Sequence, residues 1–335
     1  MMKKQHILHL LFFIVFVFLA CCTSQKTTTK DEIKQTGKTD YRIESSGIIE
    51  DTPTGKTPDI AVYEKAIKEN PDDYIALNNR GFEKYKNKDY DAAIVDFRRS
   101  VKMNPDYSMA HFNMGAAYQK KGVLDSAKMS YDKSIAINPQ NELSYVNRSE
   151  VLNNMGQPDS ALADLENALK LNPNNAIVYN NIGYIFYENG DFNNADKYYN
   201  IALSKDSLLL ITYINRGLLR QVQNLNKDAI ADYEIALRLK PGNTDVLNNL
   251  GLLYKAVGNN NKALLAFKEI TELDPSNALA WFNIARIRAI NGEKQMAISA
   301  LSQSFRFDHA LKKQVKHYNE FEVLKDDKDF QKLIK

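Results

Sequence analysis

Cysteine occurs only at positions 21 and 22 of the 335 residues, so no disulfide framework can staple the rest of the chain. With 14 glycines and 9 prolines, collagen-like and low-complexity architectures are excluded. Charge of one sign is also lacking. The 44 basic and 41 acidic residues leave +3, which falls to +1 once Lys3 and Lys4 of the leading segment are set aside. That balance argues against a strongly basic nucleic-acid binder and against an acidic disordered tail. No glycine-rich phosphate loop follows a strand pattern. The five histidines have neither a metal-ligand spacing nor a Ser or Cys nucleophile beside them: His6 and His9 lie in the leading segment, His111 and His309 in repeated framework columns, and His317 near the end. Neither catalysis nor a cofactor or metal is expected.

The one long apolar run, Ile7 to Ala20, follows Lys3 and Lys4 and leads into Cys21 and Cys22. It reads as a secretory signal over residues 1–20, short for a helix crossing roughly 30 Å of hydrocarbon. Phe18-Leu19-Ala20-Cys21 resembles the lipobox of bacterial lipoproteins, in which the cysteine is acylated and becomes the new N-terminus. Cys21 fits better than Cys22, because it follows the small residue Ala20. Acyl chains such as palmitate would then hold the protein on a membrane. Residues 21–56, rich in Thr, Ser, Lys and Asp without apolar period, read as a polar tether whose root-mean-square span is roughly 30–35 Å.

Beyond the tether the sequence repeats. Pro71, Pro105, Pro139, Pro173, Pro241 and Pro275 are in phase with a 34-residue period, with Ser207 filling the gap. The same period aligns Ala93, Ala127, Ala161, Ala195, Ala229, Ala263 and Ala297, each followed four residues later by a large apolar or aromatic side chain from Phe97 to Leu301. A small-residue column runs Gly81, Gly115, Ser149, Gly183, Gly217, Gly251 and Ala285, and a bulky one precedes it from Leu77 to Trp281. Gly122, Gly156, Gly190, Gly258 and Gly292 fall where a reversal between two helices is required. Small residues let helices approach, and proline ends each second helix.

This pattern resembles the tetratricopeptide repeat, a helix-turn-helix of 34 residues. The resemblance implies an all-α, right-handed superhelical solenoid: a half repeat at 57–73, seven repeats at 74–311 and capping helices at 312–335. A repeat array grows lengthwise, so the length does not demand separate globular domains. Lys84 and Arg220 depart from a column that is usually aromatic, and His309 replaces the last proline. Phe321, Leu324, Phe330 and Leu333 are available to cover the terminal apolar face. Asp326, Asp327 and Asp329 are better explained as a helix start than as a metal loop.

One polar column is unbroken: Asn79, Asn113, Asn147, Asn181, Asn215, Asn249 and Asn283. Asparagine inside a helix costs up to about 0.7 kcal/mol relative to alanine, so the column calls for an offsetting role. Ile75, Asn79, Phe82 and Lys86 share one helix face. In the resembled family that face lines the inner groove, where carboxamides pair with the backbone of an extended guest. Ile75, Met109, Leu143, Ile177, Ile211 and Leu279, with Phe82, Phe112, Tyr184 and Phe282 nearby, would then hold its apolar side chains. Bonds between neighbouring repeats are the alternative role for the column. A clamp for a terminal carboxylate lacks the cation cluster it needs, since Arg286, Lys86 and Lys120 are isolated.

The resemblance therefore implies a lipid-anchored interaction scaffold in the bacterial envelope, on the outer membrane facing periplasm or cell surface, that holds proteins or extended peptide segments and binds no nucleic acid. The alternative is a non-catalytic or regulatory subunit of an envelope assembly, secretion or peptidoglycan-processing complex.

Overall fold

The computed structural model describes residues 60–335. The signal segment, Cys21 and the tether lie outside the described residues, as do the first positions of the half repeat. Every regular element among the described residues is helical, and the chain forms two compact units, 60–241 and 242–335.

In the first unit, helix α1 (Ile60–Glu69) precedes five antiparallel hairpins. These are α2 (Tyr74–Lys86) with α3 (Tyr90–Met103), α4 (Ser108–Lys120) with α5 (Leu124–Ile137), and α6 (Glu142–Asn154) with α7 (Pro158–Leu171). Helices α8 (Ala176–Glu188) with α9 (Phe192–Lys205) and α10 (Leu210–Val222) with α11 (Asn226–Leu239) follow. In the second unit, α12 (Thr244–Ala256) pairs with α13 (Asn260–Leu273), and α14 (Ala278–Ile290) with α15 (Lys294–Phe307).

The punctuation is local. Asp73, Asp89, Asn175, Asp191, Asn243, Asn259 and Asn277 accept a backbone N–H at the helix start that follows them. The turn inside a hairpin needs a left-handed residue, which glycine supplies at Gly122 (φ 73°) and at the matching positions; Lys88 (φ 63°) and Asn224 (φ 61°) adopt it in the first and fifth hairpins. Between hairpins the chain leaves the helix in an extended conformation, as residues before proline prefer; Asp206, which precedes Ser207, does the same at φ −140°. The bulky column ties this connection down. His111 Nε2, Tyr179 Oη, Tyr213 Oη and Trp281 Nε1 lie 2.9 to 3.2 Å from the carbonyl oxygens of Pro105, Pro173, Ser207 and Pro275.

Within each hairpin the small column meets the large one. A Cβ added at Gly81 would lie 2.6 Å from the Phe97 ring; at Gly115, Gly183 and Gly217 it would meet Tyr131, Tyr199 and Tyr233 at 2.8 Å, and at Gly251 it would meet Phe267 at 2.6 Å. The two hairpins without glycine there, at Ser149 and Ala285, carry Leu165 and Leu301 in place of the ring. Bare backbone therefore accompanies an aromatic ring, and a Cβ accompanies a leucine.

The second unit closes with two 3₁₀ segments, His309–His317 and Asn319–Leu324, and a short helix α16 (Lys328–Ile334). Leu311, Val315, Phe321, Leu324 and Phe330 are buried, while Leu333 is partly exposed. The closing stretch is less α-helical than its sequence suggests, because it bends at Tyr318 (φ −118°, ψ 110°). The bend brings the Tyr318 ring over Arg286, 4.1 Å from the guanidinium carbon to the ring centroid. Asp327 caps α16 through the N–H groups of Asp329 and Phe330.

Gly183→Ala is expected to destabilise the first unit by about 1–3 kcal/mol, as overpacking does. Adding Tyr199→Leu should recover part of that loss, read as a non-additive double-mutant cycle in urea unfolding.

Candidate functional site

The first helix of each hairpin carries the positions that the sequence marks for recognition. The asparagine column turns inward. In the first unit Asn79, Asn113, Asn147, Asn181 and Asn215 are at most 2% exposed; in the second, Asn249 and Asn283 are 5% and 9% exposed. Their amides bond within the scaffold. Asn113 Nδ2 donates to Asn78 Oδ1 at 2.9 Å, and Asn78 Nδ2 to Asn79 Oδ1 at 3.0 Å. Asn215 Nδ2 donates to Asn180 Oδ1 at 3.0 Å, Thr212 Oγ1 joins that oxygen at 3.1 Å, and Asn180 Nδ2 donates to Asn181 Oδ1 at 3.2 Å. Asn147 Nδ2 reaches Tyr131 Oη at 3.4 Å. Asn78 and Asn180, which carry these bridges between neighbouring hairpins, were invisible as bridges in the sequence because neither belongs to a continuous column.

The expected row of solvent-facing carboxamides is thus replaced by buried bonds, and Phe112 and Tyr184 are likewise buried rather than set on an open face. Helix spacing correctly separates Asn79 from Leu77, but a second face of the same helix is covered by the adjacent hairpin. What stays accessible lies one turn earlier. Ile75, Met109, Leu143, Ile177 and Ile211, 34 residues apart, are exposed or half-buried at the start of five successive first helices. Phe82 is half-buried, with Lys86 Nζ 4.9 Å from its ring centroid. In the second unit Asp245 occupies the corresponding position of α12, and Leu279 that of α14.

Ion networks form a further layer. Arg80 makes a bidentate pair with Asp96 (2.6 and 2.8 Å), Arg148 with Asp164 (2.6 and 2.7 Å) and Arg216 with Asp232 (2.7 and 3.0 Å). The three pairs recur in alternate hairpins, and each carboxylate is almost fully buried. A buried carboxylate needs full compensation. Lys84 supplies it to Asp96 and Arg220 to Asp232, both at 2.6 Å. Both stand in the usually aromatic column, so their departure from it has a cause. In the third hairpin that place is Leu152, and the added member is Asp132, 2.6 Å from Arg148. Burial opposes the Arg148 charge, yet Asp164 and Asp132 outweigh it and raise its pKa. Burial similarly opposes ionisation of Asp132, while Lys128 and Arg148 hold its carboxyl below the ordinary range. The recurrence of Arg and Asp at twice the basic period was the available signal.

Arg286, in the second unit, is 1% exposed. Its guanidinium meets Glu320 at 2.7 and 3.1 Å and Asn283 Oδ1 at 3.2 Å, and Lys255 lies 3.3 Å from the same carboxylate. The cation therefore serves the cap. Among the described residues no group of three or more His, Cys, Asp or Glu is placed to hold a metal, and no helix is long and apolar enough to cross a membrane.

Comparison with known proteins agrees with this construction. Family models described as TPR repeat match residues 83–122 and 150–190, and models described as tetratricopeptide repeat match 110–141, 130–163 and 248–305. The chain carries tetratricopeptide repeats. Between the matched stretches, α10 and α11 form the same type of hairpin. Among solved structures, Pseudomonas aeruginosa PilF is similar at 22% identity over 65% of this chain and 97% of its own, with a TM-score of 0.55. Yeast Tom70 is similar at 18% identity over 79% of this chain and 60% of its own, with a TM-score of 0.58. Both likenesses concern the fold. No curated protein gives a significant sequence match.

Asn113→Ala, which leaves the Asn78 carbonyl without its donor, should cost about 1–3 kcal/mol in thermal or urea unfolding. Burial raises the Glu320 pKa, but Arg286 and Lys255 overcome that and hold it below the usual 4.5. A depressed folded-state pKa stabilises above the ordinary value and is lost as pH falls through the folded one. Glu320→Gln should therefore lower the melting temperature near neutrality and flatten its decline below about pH 4.5, measured calorimetrically.

Proposed function

We propose that this chain is a non-catalytic protein-interaction scaffold that receives an extended segment of a partner along the first helices of the repeats in residues 60–241. The observation that carries this reading is the row Ile75, Met109, Leu143, Ile177 and Ile211. These apolar side chains are left exposed or half-buried at one position of five consecutive hairpins, beside a core already filled by the asparagine network. Such a row offers evenly repeated contacts to alternate apolar side chains of a guest, without hydrogen bonds from the asparagine column. The paired arginines and aspartates hold their charges within the scaffold and add little to selection.

The scaffold is lipid-anchored through Cys21 and stands off a bacterial envelope membrane on residues 21–56, a reading supported by Ala20-Cys21 after the apolar run. It faces the periplasm or the cell surface from the outer membrane. Metabolic labelling with a palmitate analogue in a bacterial host should mark the full chain. Labelling should persist in Cys22→Ala and vanish in Cys21→Ala; the opposite pattern would move the anchor to Cys22.

Peptide-display selection on the full-length protein should enrich segments with spaced apolar residues. Met109→Lys combined with Ile177→Lys should weaken the selected peptides about tenfold, roughly 1.4 kcal/mol, without moving the melting temperature. Unchanged affinity in that double variant would remove the row from the binding surface.

A further inference from the structure

The closing segment of the second unit borders a half-open cleft of about 440 Å³ that the repeat pattern does not explain. Its floor is apolar, built from Val315, Phe321 and Phe330, which are 3 to 5% exposed, with Ile334 beside them. Its rim is cationic. Lys312, Lys313, Lys316 and Lys325 line it, and Glu322 is the only carboxylate among the lining residues.

The buried and half-buried cations of the ion networks are neutralised at short range: Arg80 and Lys84 by Asp96, Arg148 by Asp164, Arg216 and Arg220 by Asp232, and Arg286 by Glu320. Among the described residues, no ion pair or hydrogen bond engages the ammonium groups of Lys312, Lys313, Lys316 or Lys325; Lys312 only approaches the Phe305 ring at 5.9 Å. Three of the four also sit on one 3₁₀ segment, where residues three apart eclipse, so Lys313 and Lys316 are stacked like charges. Like charges at this spacing repel, and the repulsion is relieved when an anion joins them.

We propose that this cleft is a docking site for an acidic peptide segment: one apolar side chain enters the floor, and flanking Asp or Glu carboxylates pair with the lysine rim. Charge complementarity selects the acidic partner, and the recessed floor selects a peptide over a bilayer. A membrane-binding face needs apolar side chains that project, whereas Val315, Phe321 and Phe330 are buried. A cleft of this size lies in the range of sites that enclose a ligand side chain. The site belongs to the second unit alone and is independent of the apolar row in residues 60–241.

The test uses the full-length protein and a synthetic peptide with one central Phe flanked on both sides by Glu and Asp, titrated by fluorescence anisotropy. Binding should weaken at least about tenfold with Lys313→Glu and Lys316→Glu together, and comparably when the peptide Phe becomes Ala. It should fall as salt is raised and remain unchanged with Lys227→Glu, an exposed lysine of the first unit. Should the charge reversal unfold the cap, seen by circular dichroism, Lys312→Gln with Lys325→Gln replaces it, with the same loss expected. Absence of binding by the wild type at millimolar peptide overturns the proposal. So does equal binding of the Phe and Ala peptides, which would reduce the site to diffuse charge. Sedimentation with phosphatidylglycerol vesicles that depends on Lys313 and Lys316, without peptide binding, would overturn it in favour of a lipid surface.

Discussion

An aromatic ring laid against bare helix backbone sets the geometry of this protein. In five of its hairpins the ring from the second helix occupies the space that a Cβ on the first helix would fill; a Cβ placed there would lie 2.6 to 2.8 Å from the ring. Helices this close cannot tolerate a side chain at the crossing, and a protein interior is packed too densely to yield a void elsewhere. The two exceptions, Ser149 with Leu165 and Ala285 with Leu301, show the same rule from the other side, since shortening the large partner leaves room for the small one. The hairpin is therefore a fitted pair, and the capped starts and left-handed turns around it follow from the need to bring the two helices into that contact.

Once hairpins are fixed in this way, their neighbours bury polar groups that would be solvated on an isolated helix. The amide bridges Asn78 to Asn113 and Asn180 to Asn215 join adjacent hairpins, and the Arg–Asp pairs join the two helices of alternate ones. Desolvating a carboxylate is costly, and a second positive charge on Asp96 and Asp232 offsets that cost. Polar chemistry that resembles a recognition surface in the sequence is thus largely spent on specifying how one repeat sits against the next. The accessible first-helix row of the first unit is apolar, and lysines line the cleft at the end of the second.

The framework was legible at high resolution: the period, the two helices per repeat, the glycine turns and the cap residues Phe321, Leu324 and Phe330 all appear as periodic or punctuated positions. Which of the residues marked for recognition stay accessible was legible only in part. Ile75 and Phe82 keep solvent-accessible surface, whereas Phe112, Tyr184 and the asparagines do not. Helical periodicity assigns a residue to a face of its own helix, but it does not report which faces the next hairpin covers. Lys84 and Arg220 looked like lapses in an aromatic column until Asp96 and Asp232, 12 residues away on the facing helix, supplied the reason.

The sequence by itself determined the repeat, its hairpin and the pairing of glycine with ring, because these depend on contacts repeated at fixed separations along one chain. Tertiary structure alone decided which polar columns are buried, how the closing segment bends at Tyr318 to meet Arg286, and where unpaired lysines surround an apolar floor. Those outcomes depend on the surface that one element presents to another, and burial of a side chain is a property of its neighbours in space.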